Sequence, residues 1–189
     1  MTDHYHASQL AAVTVAEADE TQREVLEIAR KQVGFIPNMY ANMVNVPAVL
    51  TTYLHGYAAF REKSGLTPVE QEVVFLAISR QNGCAYCTAA HSMIADKYSK
   101  VPPAILAAIR AGEPLPDAKL RTLYEFAQEL VRTAGRPSPA CAARLIGAGY
   151  DERTILNVIL AAAVKTLSNY SNHLFGTPLD EMFAAYRTT

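Results

Sequence analysis

The sequence predicts an all-α fold with no significant β-sheet. Alanine, leucine and glutamate are common, and glycine is sparse at 9 of 189 residues. No stretch alternates as a half-buried strand does, and helix start and stop signals recur along the chain. Residues 18–33 place Val25, Ile28 and Val33 at helical intervals, and Gly34-Phe35-Ile36-Pro37-Asn38 breaks that helix. A short helix follows, and Pro47 opens another that runs to Gly65. Thr67 is the N-cap of the next, with Pro68 at its first position and Glu70 in its first turn. Residues 68–80 are apolar on almost all sides beyond that turn, the pattern of a buried helix. Asn82-Gly83 ends it, and Cys84 begins a helix to about Lys97.

Pro102-Pro103 starts a short helix that Gly112 ends. Asp117 caps a helix through Val131, and a short helix after the Gly135–Pro137 turn reaches Gly149. Asp151 caps the longest segment, closed by Gly176. Its middle is apolar all round, which predicts a central core helix. One domain over residues 1–189 is the simplest organisation. Its motif-bearing core spans about 66–98 and a second helical half about 117–176, with Pro114 and Pro116 between them.

Composition narrows the function classes. Half the residues are hydrophobic and 19% are charged, which excludes a disordered chain. A net charge of −1 with no block of like charges argues against a nucleic-acid surface or a polybasic membrane patch. The longest purely apolar run, Val158 to Val164, is far short of the roughly 18 residues of a membrane span. The first residues lack a signal peptide's basic start and apolar stretch, so a cytoplasmic location is expected. Three cysteines do not make a structural disulfide framework.

The informative stretch is Asn82-Gly83-Cys84-Ala85-Tyr86-Cys87-Thr88-Ala89-Ala90-His91. Cys84, Cys87 and His91 stand at i, i+3 and i+7, along one stripe of a helix, and Cys87 and His91 are one turn apart. The start of a helix favours negative charge, and Cys-x-x-Cys thiols placed there have depressed pKa values. A nucleophile, a resolving thiol and a base are thus present. Three other readings compete. Two buried thiols need no chemistry. A structural zinc site takes four ligands, and this stretch supplies three. A thioredoxin-like domain needs βαβ units that a helical chain does not provide. The preceding helix offers Glu70 and Glu72 as proton acceptors for His91. Both have apolar neighbours one turn on, and helical spacing does not choose between them.

Residues 66–72, Leu-Thr-Pro-Val-Glu-Gln-Glu, followed by the 82–91 stretch, resemble the AhpD-like alkylhydroperoxidases of the carboxymuconolactone decarboxylase superfamily. The family pattern is a glutamate twelve positions before the first cysteine, then Cys-x-x-Cys-x-x-x-His, and that spacing selects Glu72. Weaker similarity covers residues 34–38 and 169–180, whose flanks look like the peroxidase-related branch. The resemblance implies an all-helical homo-oligomer, often a trimer or hexamer, with no bound cofactor. It implies an antioxidant peroxidase in which Glu72 acts through His91 to deprotonate Cys87, the peroxidatic cysteine. Cys87 then attacks a small hydroperoxide, Cys84 resolves the sulfenic acid to a disulfide, and an external dithiol or protein reductant restores both thiols.

One position departs from the pattern. Where the peroxidase with this mechanism has a second histidine, this chain has Tyr86, a possible hydrogen-bond donor but a poor base. The superfamily's decarboxylases generally lack the cysteine pair, which argues against lactone decarboxylation. Two alternatives stand beside the peroxidase: a non-enzymatic oligomeric module that responds to oxidants or binds a partner, and a proton-transfer enzyme using His91 and Glu72 with bystander cysteines. Asn169 and His173, one turn apart, are candidates for the same cavity, against helix capping or an oligomer contact. His55 reads as structural or interfacial, His4 and His6 as part of a mobile N-terminus, and Cys141 as an ordinary small helical residue.

Overall fold

The computed structural model describes residues 10–187, so His4 and His6 lie outside the described residues. Nine α-helices follow one another there, with no strand among the described residues: α1 Glu20–Val33, α2 Asn38–Met43, α3 Pro47–Lys63, α4 Pro68–Gln81, α5 Ala85–Lys97, α6 Pro103–Ala111, α7 Ala118–Arg132, α8 Pro139–Gly147 and α9 Glu152–Phe175. A 3₁₀ helix, Glu181–Tyr186, closes the chain.

Local chemistry sets the boundaries. Asp19 with Gln22, and Thr67 with Glu70, form reciprocal capping boxes at the starts of α1 and α4. Pro47, Pro68, Pro103 and Pro139 occupy the first turns of their helices, where no N–H is needed. Gly34 (φ 85°) and Gly112 (φ 77°) take the left-handed turn that ends α1 and α6.

Helix α4 is the axis of the molecule. Every residue from Glu70 to Ser79 is buried, and the helix packs against α5, α7 and α9. Val73, Val74, Phe75, Leu76 and Ile78 have no exposed surface, and burying each such side chain is worth about 1.5–3 kcal/mol. Because α4 touches α5 and α7 alike, the elements before and after the 114–116 prolines share one hydrophobic cluster. Helix α3 lies close against α9: a Cβ on Gly56 would stand 2.8 Å from Val164 Cγ2.

Two expectations need correction. On α1 the inward face is Val25, Leu26 and Ala29, while Ile28 (46% exposed) and Val33 (39%) are not in the core. Ile28 falls on the flank of that face, and Val33 is the last helical residue. Helix α9 is not buried all round. Its inner side carries Val158, Ala161, Val164 and Lys165, but Leu156, Ile159, Tyr170 and Leu174 form an exposed stripe on the other. A run that is apolar on every side does not say which of its sides this chain covers.

Candidate active site

Cys84 is the N-cap of α5, one position before its first turn. A cap side chain accepts from the N–H three residues on, and here a thiol takes that role: the Cys87 N–H points at Cys84 Sγ, 3.4 Å away. Cys87 is thereby at the third helical position, among the unpaired N–H groups of the helix start. Asn172 reaches across from α9, and its Nδ2 donates to Cys87 Sγ at 3.3 Å, with Cys84 Sγ at 3.8 Å and Met39 Sδ at 3.2 Å. Both thiols are free and buried.

His91 follows one turn after Cys87. Its Nδ1 is 2.9 Å from Glu72 Oε2. With the carboxylate ionised, Nδ1–H is the donor, which leaves Nε2 as the free base. Glu70 is elsewhere. It accepts from the Thr67 N–H and hydroxyl, and from Tyr150 at 2.9 Å, with Lys119 at 3.4 Å. The two acids that helical spacing left open thus have separate duties: Glu70 caps α4, and Glu72 faces the histidine.

Burial works against the Glu72 charge, but His91 and then Arg61 outweigh it and hold the carboxyl below its ordinary value. Arg61 of α3 is paired with Glu72, and it also donates to Tyr57 at 2.7 Å and Gln71 at 3.1 Å. Burial, followed by the charge of Lys165, pushes the His91 imidazole below its ordinary value despite the opposing pull of Glu72. The cysteines diverge. Burial alone would raise Cys87, but the hydrogen bond from Cys84, then Lys165 and His91, hold it well below the usual thiol value. Cys84 is raised, first by its hydrogen bond to Cys87 and then by burial.

A cavity of about 300 Å³ leads to Cys87. Phe35, Tyr40, Tyr53, Tyr57, Tyr86 and Phe183 supply its aromatic walls, with Cys87, His91 and Lys165 as polar groups. Val33, Tyr98 and Met182, all exposed, form its rim. Cys84 does not line it. A larger polar depression, about 420 Å³ around Glu70, Lys119 and Tyr150, contains no cysteine or histidine.

Tyr86 is a donor, but to Asp180, just before the 3₁₀ helix, rather than to a thiol. Asp180 also accepts from the Asn38 N–H at 3.1 Å, so it links α5 to the start of α2. His173 is exposed and stacks on Tyr170, away from the thiols. Asn169 is buried but accepts from Asn82 at 2.9 Å and does not line the cavity. The asparagine that reaches the cysteines is Asn172, one helical position away from the expected pair. Arg61 and Lys165 carried no motif, while Asp180 closes the 169–180 stretch without any sign of its partner. The position of Lys165 just after the apolar run 158–164 is its one trace in the sequence. Among the described residues no three His, Cys, Asp or Glu side chains are disposed to hold a metal ion.

Residues 47–129 match the model of the carboxymuconolactone decarboxylase family. Beyond that segment the likeness is one of fold, and the whole chain has the AhpD-like all-helical architecture. The matched segment runs from the start of α3 through most of α7 and so contains Glu72, both motif cysteines and His91. Among solved structures, the alkylhydroperoxidase AhpD core of an uncharacterised peroxidase-related protein from Ralstonia eutropha JMP134 is similar at 22% identity and TM-score 0.78, over 92% of each chain. A peroxidase-related protein from Silicibacter sp. TM1040 is similar at 22% identity and TM-score 0.74, over 99% of this chain and 100% of that one. A debrominase variant in complex with 2,3,4-tribromopyrrole is similar at 14% identity and TM-score 0.76, over 94% of each chain. These structures share the all-helical AhpD-like fold. No curated protein matches the chain.

Proposed function

We propose that this AhpD-like protein is a thiol-dependent peroxidase for organic hydroperoxides, with Cys87 as attacking and Cys84 as resolving thiol. The observation that carries this reading is the asymmetry of the pair. Cys87 faces the cavity with its thiol held low, while Cys84 sits behind it with its thiol held high. The Cys87 thiolate attacks the terminal oxygen of ROOH, an S–O bond forms, the O–O bond breaks, and the alkoxide leaves as ROH after taking a proton. The Cys84 sulfur then attacks the Cys87 sulfenic acid and water departs. The product is a disulfide between residues three positions apart. An external dithiol returns two electrons and two protons. His91, kept neutral with Nε2 free, accepts the proton of whichever thiol must ionise, and Glu72 orients it. The aromatic walls favour an organic over an inorganic peroxide.

The test is stopped-flow reaction of the pre-reduced protein with a small organic hydroperoxide, counting thiols before and after. Loss of two thiols per chain at a rate well above that of free cysteine, with turnover on adding a dithiol, is the expected result. Reaction no faster than a free thiol rejects it.

The aromatic cavity and the fold shared with a debrominase favour one second reading. The same two electrons can reduce a brominated aromatic ring: ArBr plus two thiols gives ArH, a disulfide and HBr. Bromide release from a bromopyrrole, without hydroperoxide consumption, selects this reading. As for assembly, the exposed stripe on α9 supports a homo-oligomer.

A further inference from the structure

Lys165 lies on the inner side of α9 with no exposed surface, and its Nζ has no hydrogen-bond partner among the described residues. An ammonium so placed is costly unless an opposite charge faces it. The Phe75 ring stands 5.5 Å from Nζ and supplies no counter-charge. Yet Lys165 lines the same cavity as Cys87 and His91.

The formal charges around it can be assigned one by one. Glu72 is the buried carboxylate of this region, and Arg61 pairs with it. Asp180 takes the Tyr86 proton donor and the Asn38 N–H. From α2 and α3 the cavity receives the phenols of Tyr40, Tyr53 and Tyr57, and burial holds all three protonated by raising them above the ordinary phenol value. His91 is neutral near pH 7, being held low by burial and Lys165. Cys84 stays a thiol. One group remains that can carry a negative charge opposite Lys165.

We infer that Lys165 is the fixed counter-ion of a Cys87 thiolate, so that the resting site holds two separate charge pairs, Arg61 with Glu72 and Lys165 with Cys87. In this arrangement the Glu72–His91 couple orients a neutral base, and the charge that keeps Cys87 ionised comes from α9. The site is then ionised before any substrate enters. Asn172 adds a hydrogen bond to the same sulfur, and donation to the charged form strengthens it. Lys165 is a positioning residue in this role, acting on the sulfur rather than on a substrate. The inference concerns the proton on Cys87 alone and holds for either chemistry proposed above.

The experiment titrates Cys87 in a Cys84→Ser chain by ultraviolet thiolate absorbance and by the pH dependence of iodoacetamide alkylation. Lys165→Met, which keeps length without charge, and Lys165→Arg, which keeps charge, are compared with the parent. The expected result is a Cys87 midpoint below the free-thiol value of about 8.5 in the parent, raised by at least about one unit in Lys165→Met and restored toward the parent in Lys165→Arg. Each unit lowers the alkylation rate on the acid side about tenfold. A midpoint that is the same in parent and Lys165→Met overturns the inference, as does a parent midpoint at or above the free-thiol value. If Lys165→Met does not fold, Lys165→Gln carries the same comparison, and a merely structural lysine moves the melting temperature without moving the midpoint. Because no peroxide or bromoarene is used, a failure here is distinct from a failure of the peroxidase reading.

Discussion

Cys84 and Cys87 are three positions apart on one helix start and hold their protons very differently. Position explains it: Cys84 caps the helix by accepting the Cys87 N–H, while Cys87 faces the cavity and Lys165. Cys87→Ser is therefore expected to abolish hydroperoxide consumption. Cys84→Ser is expected to leave one oxidation per chain and no recycling, read by thiol counting and by mass. Full turnover in Cys87→Ser would remove the peroxidase reading. The rate of the first oxidation follows the thiolate: because Cys87 is held low, the rate is flat at neutral pH and falls only as pH drops through that depressed value. A rate still rising tenfold per pH unit between about 7 and 8 contradicts the assigned shift, since it is the behaviour of an unperturbed thiol near 8.5. Glu72→Gln leaves the half-buried Arg61 against a neutral partner, and its expected cost is roughly 3 kcal/mol by denaturant titration. At this scale the placing of Cys87 and His91 on one helix face was readable, because residues one turn apart share a face whatever surrounds them. Lys165 was not readable, because a lone lysine in an apolar segment has no spacing to announce it.

Helix α4 begins with Thr67 and Glu70 satisfying each other's backbone groups, and both roles follow from residues three apart. Thr67→Ala is expected to cost about 1 kcal/mol while leaving the chemistry of Cys87 intact, because the cap is remote from the cavity. Equal loss of activity and stability would tie the cap to the site. The α3–α9 contact depends on the missing side chain of Gly56. Alanine there gains up to about 1 kcal/mol of helix propensity but drives a methyl into the stiff Val164 side chain, at about 1–3 kcal/mol. Net destabilisation of roughly 1 kcal/mol is expected, with a double-mutant cycle against Val164→Ala revealing positive coupling. Helix boundaries were legible because caps, prolines and glycines act locally. The burial of Ile28 and the outer side of α9 were not, because a helix repeats its pattern without saying what packs on each face.

The whole molecule answers to acid through three kinds of group: the lowered carboxylates, His91 and the Cys87 thiol. Glu72 and Glu70 have folded values below their ordinary ones, so the unfolded chain binds more protons between the two values. Their stabilisation is complete above about pH 4.3 and is lost as pH falls through the folded values. His91 is also lowered, so its contribution is complete above about pH 6.5 and begins to be lost below it, as the unfolded histidine protonates first. Cys87, also lowered, adds a limb that begins below about 8.5, so chemical denaturation across pH should show stability declining from there, with added slope below about 6.5 and again below about 4.3, and His91→Asn should remove the middle limb. The proposed homo-oligomer would bury the exposed Leu156, Ile159, Tyr170 and Leu174 on α9. Sedimentation should give a multiple of the 20.6 kDa chain, and Leu156→Glu with Ile159→Glu should reduce it to a single chain while α9 stays folded. No helix among the described residues is long and apolar enough to cross a membrane.

Sequence by itself determined the helical class, the order and ends of the helices, and the shared face of Cys87 and His91. Each of these depends on interactions within a few residues, which spacing encodes. The choice of Glu72 over Glu70 came from the family spacing, and packing of α4 on α5 gives it a physical form in the contact with His91. Only the tertiary structure decided the rest: Arg61 on Glu72, Lys165 beside the cavity, Asn172 on the thiols, and Tyr86 turned to Asp180. Those partners stand 11, 85 and 94 positions apart in three of the pairs. Charge and burial at such separations depend on how helices pack, and no local period carries that information.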